Sequence, residues 1–165
     1  MLGLLASNWR LSGIVNVRSG DRLTVVAGRD NAFNGQDPTR QRVDQISDNV
    51  YGPKTLDSYL NRAAFAQAAP GTFGTHERNS LEGPGFWKID LAVSRLLPVA
   101  STHTVELRVE VFNLLNNFNW GLPGTPAQPG ATQEQYVDFS AAAFGRILQA
   151  AGDPRIMQFG VKYGF

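Results

Sequence analysis

PRIMQFGVKYGF, residues 154–165, closes the sequence on a strict alternation. Met157, Phe159, Val161, Tyr163 and Phe165 share one parity; Gln158, Gly160, Lys162 and Gly164 share the other. Successive side chains of a strand point to opposite faces, so the stretch reads as a half-apolar β-strand. Chain ends are usually poorly ordered unless something ties them down. A strand this regular at the end implies a neighbour to pair with and an apolar medium for one of its faces.

The same rhythm recurs upstream. In NWRLSGIVNVRSG, Trp9, Leu11, Val15 and Val17 oppose Arg10, Ser12, Asn16 and Arg18. DRLTVVAG follows, with Leu23, Val25 and Ala27 against Arg22 and Thr24. Ser19-Gly20-Asp21 between them reads as a tight hairpin turn. FWKIDLAVSRLLPV sets Trp87, Ile89, Leu91 and Val93 against Lys88, Asp90 and Ser94. HTVELRVEVFNLLN sets Val105, Leu107, Val109 and Val111 against Glu106, Arg108 and Glu110, after a short turn near Pro98.

Between these segments lie two long stretches rich in Asn, Asp, Gln, Gly and Pro. Residues 29–85 show little periodicity and read as loop, with room for a short helix in KTLDSYLNRAAFAQ. Gly83, Pro84 and Gly85 supply turn chemistry at the return into a strand. They are not a phosphate loop, because no helix follows. The second stretch runs from residue 117 to Asp153-Pro154. Structureless loops of this length are rare in compact domains, so they carry function or argue against a compact domain.

About five strands of some ten residues, joined alternately by short turns and long loops, match the layout of a transmembrane β-barrel. Trp9, Trp87, Tyr163 and Phe165 sit where interfacial aromatic girdles belong. The bulk properties agree. The 165 residues carry a net charge of +1, which points to no nucleic acid, and contain no cysteine. Mean hydropathy is −0.20, and no run approaches the ~18 apolar residues of a membrane helix. Hydropathy is nearly blind to barrel strands, whose apolar face is every second residue. MLGLLASNW at the start is too short, and lacks the basic residues, for a signal peptide.

Charge proposes a register for the central hairpin. Centring the Leu96–Thr102 turn on Val99 opposes Lys88 to Glu110 and Asp90 to Arg108. A two-residue slip puts like charges face to face, which is unfavourable. The Val99-centred register also pairs Trp87 with Val111, Ile89 with Val109, Leu91 with Leu107 and Val93 with Val105. The lipid-facing set is then Trp87, Ile89, Leu91, Val93, Val105, Leu107, Val109, Val111, Met157, Phe159 and Val161. Lys88, Asp90, Glu106, Arg108 and Glu110 form a lumen-facing charge network.

The terminal QFGVKYGF resembles the β-signal of outer-membrane proteins: polar, any, Gly, any, any, aromatic, any, aromatic. Gln158, Gly160, Tyr163 and Phe165 fill those places. The resemblance implies a barrel assembly machinery that reads the strand by edge pairing. NWRLSGIVNVRSG, GTFGTHERNSLEGPGFWKIDLAVSR, LRVEVFNLLNNFNWG and FGRILQAAGDPRIMQFGVKYGF resemble C-terminal barrel segments of TonB-dependent receptors. Within these the resemblance is to the Oar-like group, with a carboxypeptidase-regulatory-like N-terminal domain. It covers most of the chain. It implies an all-β fold: an antiparallel transmembrane segment of a larger barrel, of about 22 strands in this family, with two long extracellular loops. It further implies energised uptake across the outer membrane of a Gram-negative cell. The partners implied are outer-membrane lipid, the assembly machinery, the TonB complex and a transported substrate the sequence does not identify. The plug, the TonB box and most of the barrel lie outside residues 1–165, so the chain reads as the C-terminal part of a longer one. Five strands cannot close at that width, and unpaired strand edges are costly in lipid. The isolated chain is therefore not expected to transport.

No residue set assembles a nucleophile, base and oxyanion site, so the expectation is not an enzyme and no cofactor. Glu106 and Glu110 read as part of the charge network rather than as a catalytic pair. His76 and His103 lack a ligand cluster, and His76 reads as a solvated loop histidine. Phe118, Trp120, Tyr136 and Phe139 either contact a ligand or pack the loop against itself. The competing fold is a secreted or cell-surface β-sandwich binding module, which would bury the alternating apolar faces instead of showing them to lipid.

Overall fold

The computed structural model describes residues 7–35, 37, 41–124 and 136–165. The reading of the N-terminal stretch falls largely on residues 1–6 and lies outside them. Among the described residues the strands are β1 (Trp9–Arg18), β2 (Arg22–Val26), β3 (Asp44–Gln45), β4 (Phe65–Ala66), β5 (Leu81–Glu82), β6 (Phe86–Pro98), β7 (Thr104–Phe112), β8 (Tyr136–Asp138) and β9 (Ile156–Gly164). The only regular helical piece among them is a 3-10 turn, Arg62–Ala64, within the stretch that left room for a short helix. The chain divides into two units, one of residues 1–18, 86–118 and 153–165, the other of residues 19–85 and 119–152.

The first unit is a four-stranded antiparallel sheet in the order β1-β6-β7-β9. Four of the five alternating segments build it. The fifth, β2, does not pair with β1: β1 pairs with β6 along its whole length, from Trp9↔Arg95 to Arg18↔Phe86. The hairpin expected at Ser19-Gly20-Asp21 is therefore absent. The glycine has another cause. A Cβ on Gly20 would run into the backbone carbonyl of Gly83, and the Gly83 N–H donates to Asp21 O at 2.9 Å. Two backbones pass too closely there for a side chain.

The β6–β7 register also differs from the expected one. Leu91 faces Val111, Val93 faces Val109, Arg95 faces Leu107 and Leu97 faces Val105. Lys88 does not face Glu110, nor Asp90 Arg108; Ala92 and Ser94 hold those places. The turn explains the four-residue shift. Val99 N donates to His103 O at 3.0 Å, and Ala100 and His103 exchange bonds of 3.3 Å. This tight closure carries the ladder down to Pro98↔Thr104. A looser turn over residues 96–102 would give up these backbone hydrogen bonds. A shift of four keeps parity, so every side chain stays on its expected face. Because the chain has no cysteine, the register is open to direct test. Val93→Cys with Val109→Cys should cross-link on mild oxidation, since facing Cα atoms lie about 4.5–5.5 Å apart. Ile89→Cys with Val109→Cys should not, because the same register displaces that pair by about 13 Å. The reverse result on a non-reducing gel would restore the Val99-centred pairing.

The second unit is made of β2 and the two long stretches, which are largely irregular in backbone, as expected of loops, but pack around a core of their own. β2 lies between β5, antiparallel, and β8, parallel; β3 and β4 form a two-stranded ladder. β2 is buried on both faces: Leu23 and Val25 are 0 % exposed, Thr24 1 % and Val26 2 %. Leu23 and Val25 join a core with Val43, Tyr59, Phe65, Leu81, Leu122, Val137, Phe144 and Ile147. The two stretches hold each other through Tyr59 N to Gly145 O at 2.7 Å and Ile147 N to Leu56 O at 2.7 Å. Arg62 lies over the rings of Phe139 and Phe144 and donates to Phe139 O at 2.8 Å.

Candidate functional site

Antiparallel partners share a face, so the registers assemble two surfaces on the four-stranded sheet. On the first, Leu11, Val93, Val109 and Phe159 form one row, and Gly13, Leu91, Val111 and Met157 the next. Val17↔Trp87, Val15↔Ile89, Leu107↔Val161 and Leu97↔Val105 complete it. All eleven residues expected on the lipid face share this surface. It is not covered: Leu11 is 70 % exposed, and Phe159 and Val161 are each 75 %. A sandwich would bury such a face. A contiguous apolar patch of this extent needs an apolar cover, which a bilayer supplies.

Aromatic residues stand at both ends of this face. Trp9, with the Arg95 guanidinium 5.2 Å from its ring centre, lies at the end that carries the tight turn. Tyr163 lies at the same end, its hydroxyl 2.6 Å from His103 Nδ1 and its ring stacked on the imidazole. Phe165 beyond it is 94 % exposed. Trp87 marks the opposite end, where β6 begins. Rings and cations at the ends of an apolar band suit the headgroup level of a membrane.

The second surface carries the charges and most of the polar side chains, with Ile14, Leu96, Phe112 and Ile156 among them. One row runs Ser12, Ala92, Glu110 and Gln158; the next runs Arg10, Ser94, Arg108 and Gly160. The five charges expected here are present on it, but their partners differ from the expected cross-strand ones. Lys88 Nζ lies 2.8 Å from Asp90 Oδ2, and Arg108 Nε 3.5 Å from Glu110 Oε1, both along a single strand. Across strands, Glu106 faces Lys162. Arg10 and Arg108 are kept apart by Ser94. Of the β-signal residues, Gln158 and Gly160 thus lie on the polar surface and Tyr163 on the apolar one.

A feature missed in the sequence closes β7. Asn113 and Asn116 adopt left-handed backbone, φ 52° each. The Asn113 N–H donates to Asp90 Oδ1 at 2.8 Å, and its carboxamide donates to Asn117 O and Asp153 O at 2.9 and 3.1 Å. Its Oδ1 accepts from Asn117 N at 2.9 Å. Asn117 in turn donates to Trp87 O at 3.0 Å. Asp90 is thereby a cap for the chain as well as a partner of Lys88. The signal was the Asn-rich NLLNN, since asparagine tolerates φ > 0 and bonds its own backbone.

In the second unit, Trp120 and Phe139 pack against the core, and Phe139 meets Phe144 edge-on at 5.2 Å. The Tyr136 hydroxyl accepts from Arg78 at 3.2 Å. Phe118 belongs to the first unit and is 61 % exposed. Burial pushes the Tyr59 phenol up to about 12, so it stays a donor, to Glu82 O at 3.1 Å.

His76 is not the solvated histidine expected; it is 0 % exposed. Its ring meets Phe65 edge-on at 5.3 Å, its Nδ1 lies 3.1 Å from Gln45 Oε1, and its carbonyl accepts from Arg42 at 2.9 Å. Burial holds its pKa below the ordinary value, aided by Arg42 and opposed by Glu77. The unfolded chain, titrating near 6.5, therefore binds the proton more readily. Stability from this group is complete above about pH 6.5 and is lost as pH falls through that value. In urea titrations of the second unit between pH 7 and 5, His76→Leu should flatten the pH dependence by up to about 1.4 kcal/mol per pH unit. An unchanged slope would mean that His76 is not buried neutral.

No curated protein and no solved structure gives a match. A family profile described as an outer membrane beta barrel domain matches residues 1–158. With an antiparallel sheet whose one face is apolar and open, bounded by aromatic residues, and whose other face is charged, the chain belongs to this outer membrane β-barrel family and is an outer-membrane protein.

Proposed function

We propose that residues 1–165 are the C-terminal barrel portion of a TonB-dependent receptor of the Oar-like group. Its plug and remaining strands lie in a longer chain, and it works in energised uptake of a substrate rather than in catalysis. The observation that carries this reading is the packed unit formed by the two long inter-strand stretches. Connections of a simple barrel have no need of a core such as that around Leu23, Val25 and Phe65. Connections that handle a ligand gain from being pre-formed. The four resembling segments and the terminal Gln158, Gly160, Tyr163 and Phe165 support the same reading. In the complete barrel the edges β1 and β9 would find partners, with β9 the strand delivered to the assembly machinery.

Peptide mapping of the outer-membrane fraction tests it. Peptides of this chain should migrate in a species several times heavier than 18.0 kDa, and that species should co-purify with TonB. A band at the mass of residues 1–165 alone, or a heavy species indifferent to TonB, would refute the receptor reading and leave a barrel protein of another kind.

A further inference from the structure

The second unit contains a cleft of about 380 Å³ that the membrane sheet does not use, lined by Gln45, Asp48, Thr75, Glu77 and Ser80, with Val50 and Leu81 adding apolar surface. We propose that this cleft binds a neutral polyhydroxylated ligand, a saccharide. Its volume is in the range of small-molecule sites. The distribution of donors and acceptors selects the class. Gln45 Oε1 is engaged by the Nδ1 of the fully buried His76. A carboxamide oxygen only accepts, so Nδ1 donates, and the part of Gln45 left for a ligand is its N–H₂. Thr75 Oγ1 already accepts from Gln45 N at 3.3 Å, so its O–H remains to donate. Ser80 Oγ donates to Glu77 O at 3.0 Å, so its lone pairs remain to accept. Asp48 and Glu77 accept only.

This mixture fits a hydroxyl, which donates and accepts at once. An anion would meet two carboxylates and no lining cation. An ammonium would meet two carboxylates but also the donors Gln45 and Thr75. His76 is a positioning residue here, since it orients Gln45 without lining the cleft.

The cleft does not depend on how uptake is energised, so this inference and the receptor reading fail separately: co-purification decides one and ligand binding the other. The test presents the full protein, in detergent from the outer membrane, to an array of neutral and sialylated glycans and to immobilised spermidine. Neutral glycans should bind, and the others should not. Asp48→Asn should weaken neutral-glycan binding about tenfold or more. Gln45→Glu, which replaces the donor by an acceptor, should do the same. Ser80→Ala, at an exposed hydroxyl, should weaken it less and guards against loss through misfolding. Absence of neutral-glycan binding, preference for spermidine, or binding that survives both Asp48→Asn and Gln45→Glu would each overturn the proposal.

Discussion

Leu23→Ala is expected to destabilise the second unit by about 2–5 kcal/mol, the cost of emptying a fully buried leucine site. Leu23 is 0 % exposed. It lies on β2 between β5 and β8, where it faces Leu81 in the same core. The position looks like the apolar side of a membrane strand in the sequence, and there truncation would be mild, because lipid fills the space. The measurement is urea unfolding of the protein in detergent with limited proteolysis of residues 27–80. Faster cleavage of that region, with β6, β7 and β9 still protected, is the expected result. A loss below about 1 kcal/mol, typical of an uncovered position, would return β2 to the membrane.

Val109→Arg should cost about 2–4 kcal/mol, as an Arg near the midplane on the lipid side of a barrel does. Val109 sits mid-strand on β7, between Val93 and Phe159. Ala92→Arg supplies the control: it lies on the opposite face beside Glu110, where a cation meets charge and water, and should stay within about 0.5 kcal/mol. Tryptophan fluorescence during urea unfolding from lipid vesicles reads both. The larger cost at Ala92 would show that the two faces are exchanged, and equal costs that neither face is set apart by lipid.

Partners proved harder to read than faces, and the reason is local. The charges of β6 and β7 avoid like-charge contact in the observed register as well as in the Val99-centred one, so they cannot choose between them. Lys88 and Asp90 also satisfy each other along the strand, which removes the demand for a cross-strand partner. What chose the register was the closure of residues 99–103, where no Asn-Gly or Asp-Gly announces the turn. At Ser19-Gly20-Asp21 the opposite error arose: a good turn sequence serves a close backbone crossing. His76 carries no flanking pattern that marks it as buried, and burial was decided by Phe65 and Gln45 arriving from elsewhere in the chain.

The sequence by itself determined which residues share a face and that four of its segments are half-apolar strands. Those properties follow from the period of two, which survives any even shift of register. Tertiary structure alone decided which strand lies beside which, where β6 meets β7, and that the two long stretches form one core. That core draws on residues 23–27, 43, 59–65, 81, 122, 137 and 144–147. Contacts so widely spaced leave no periodic trace, because no single segment has to be amphipathic when its partners close over it from both sides.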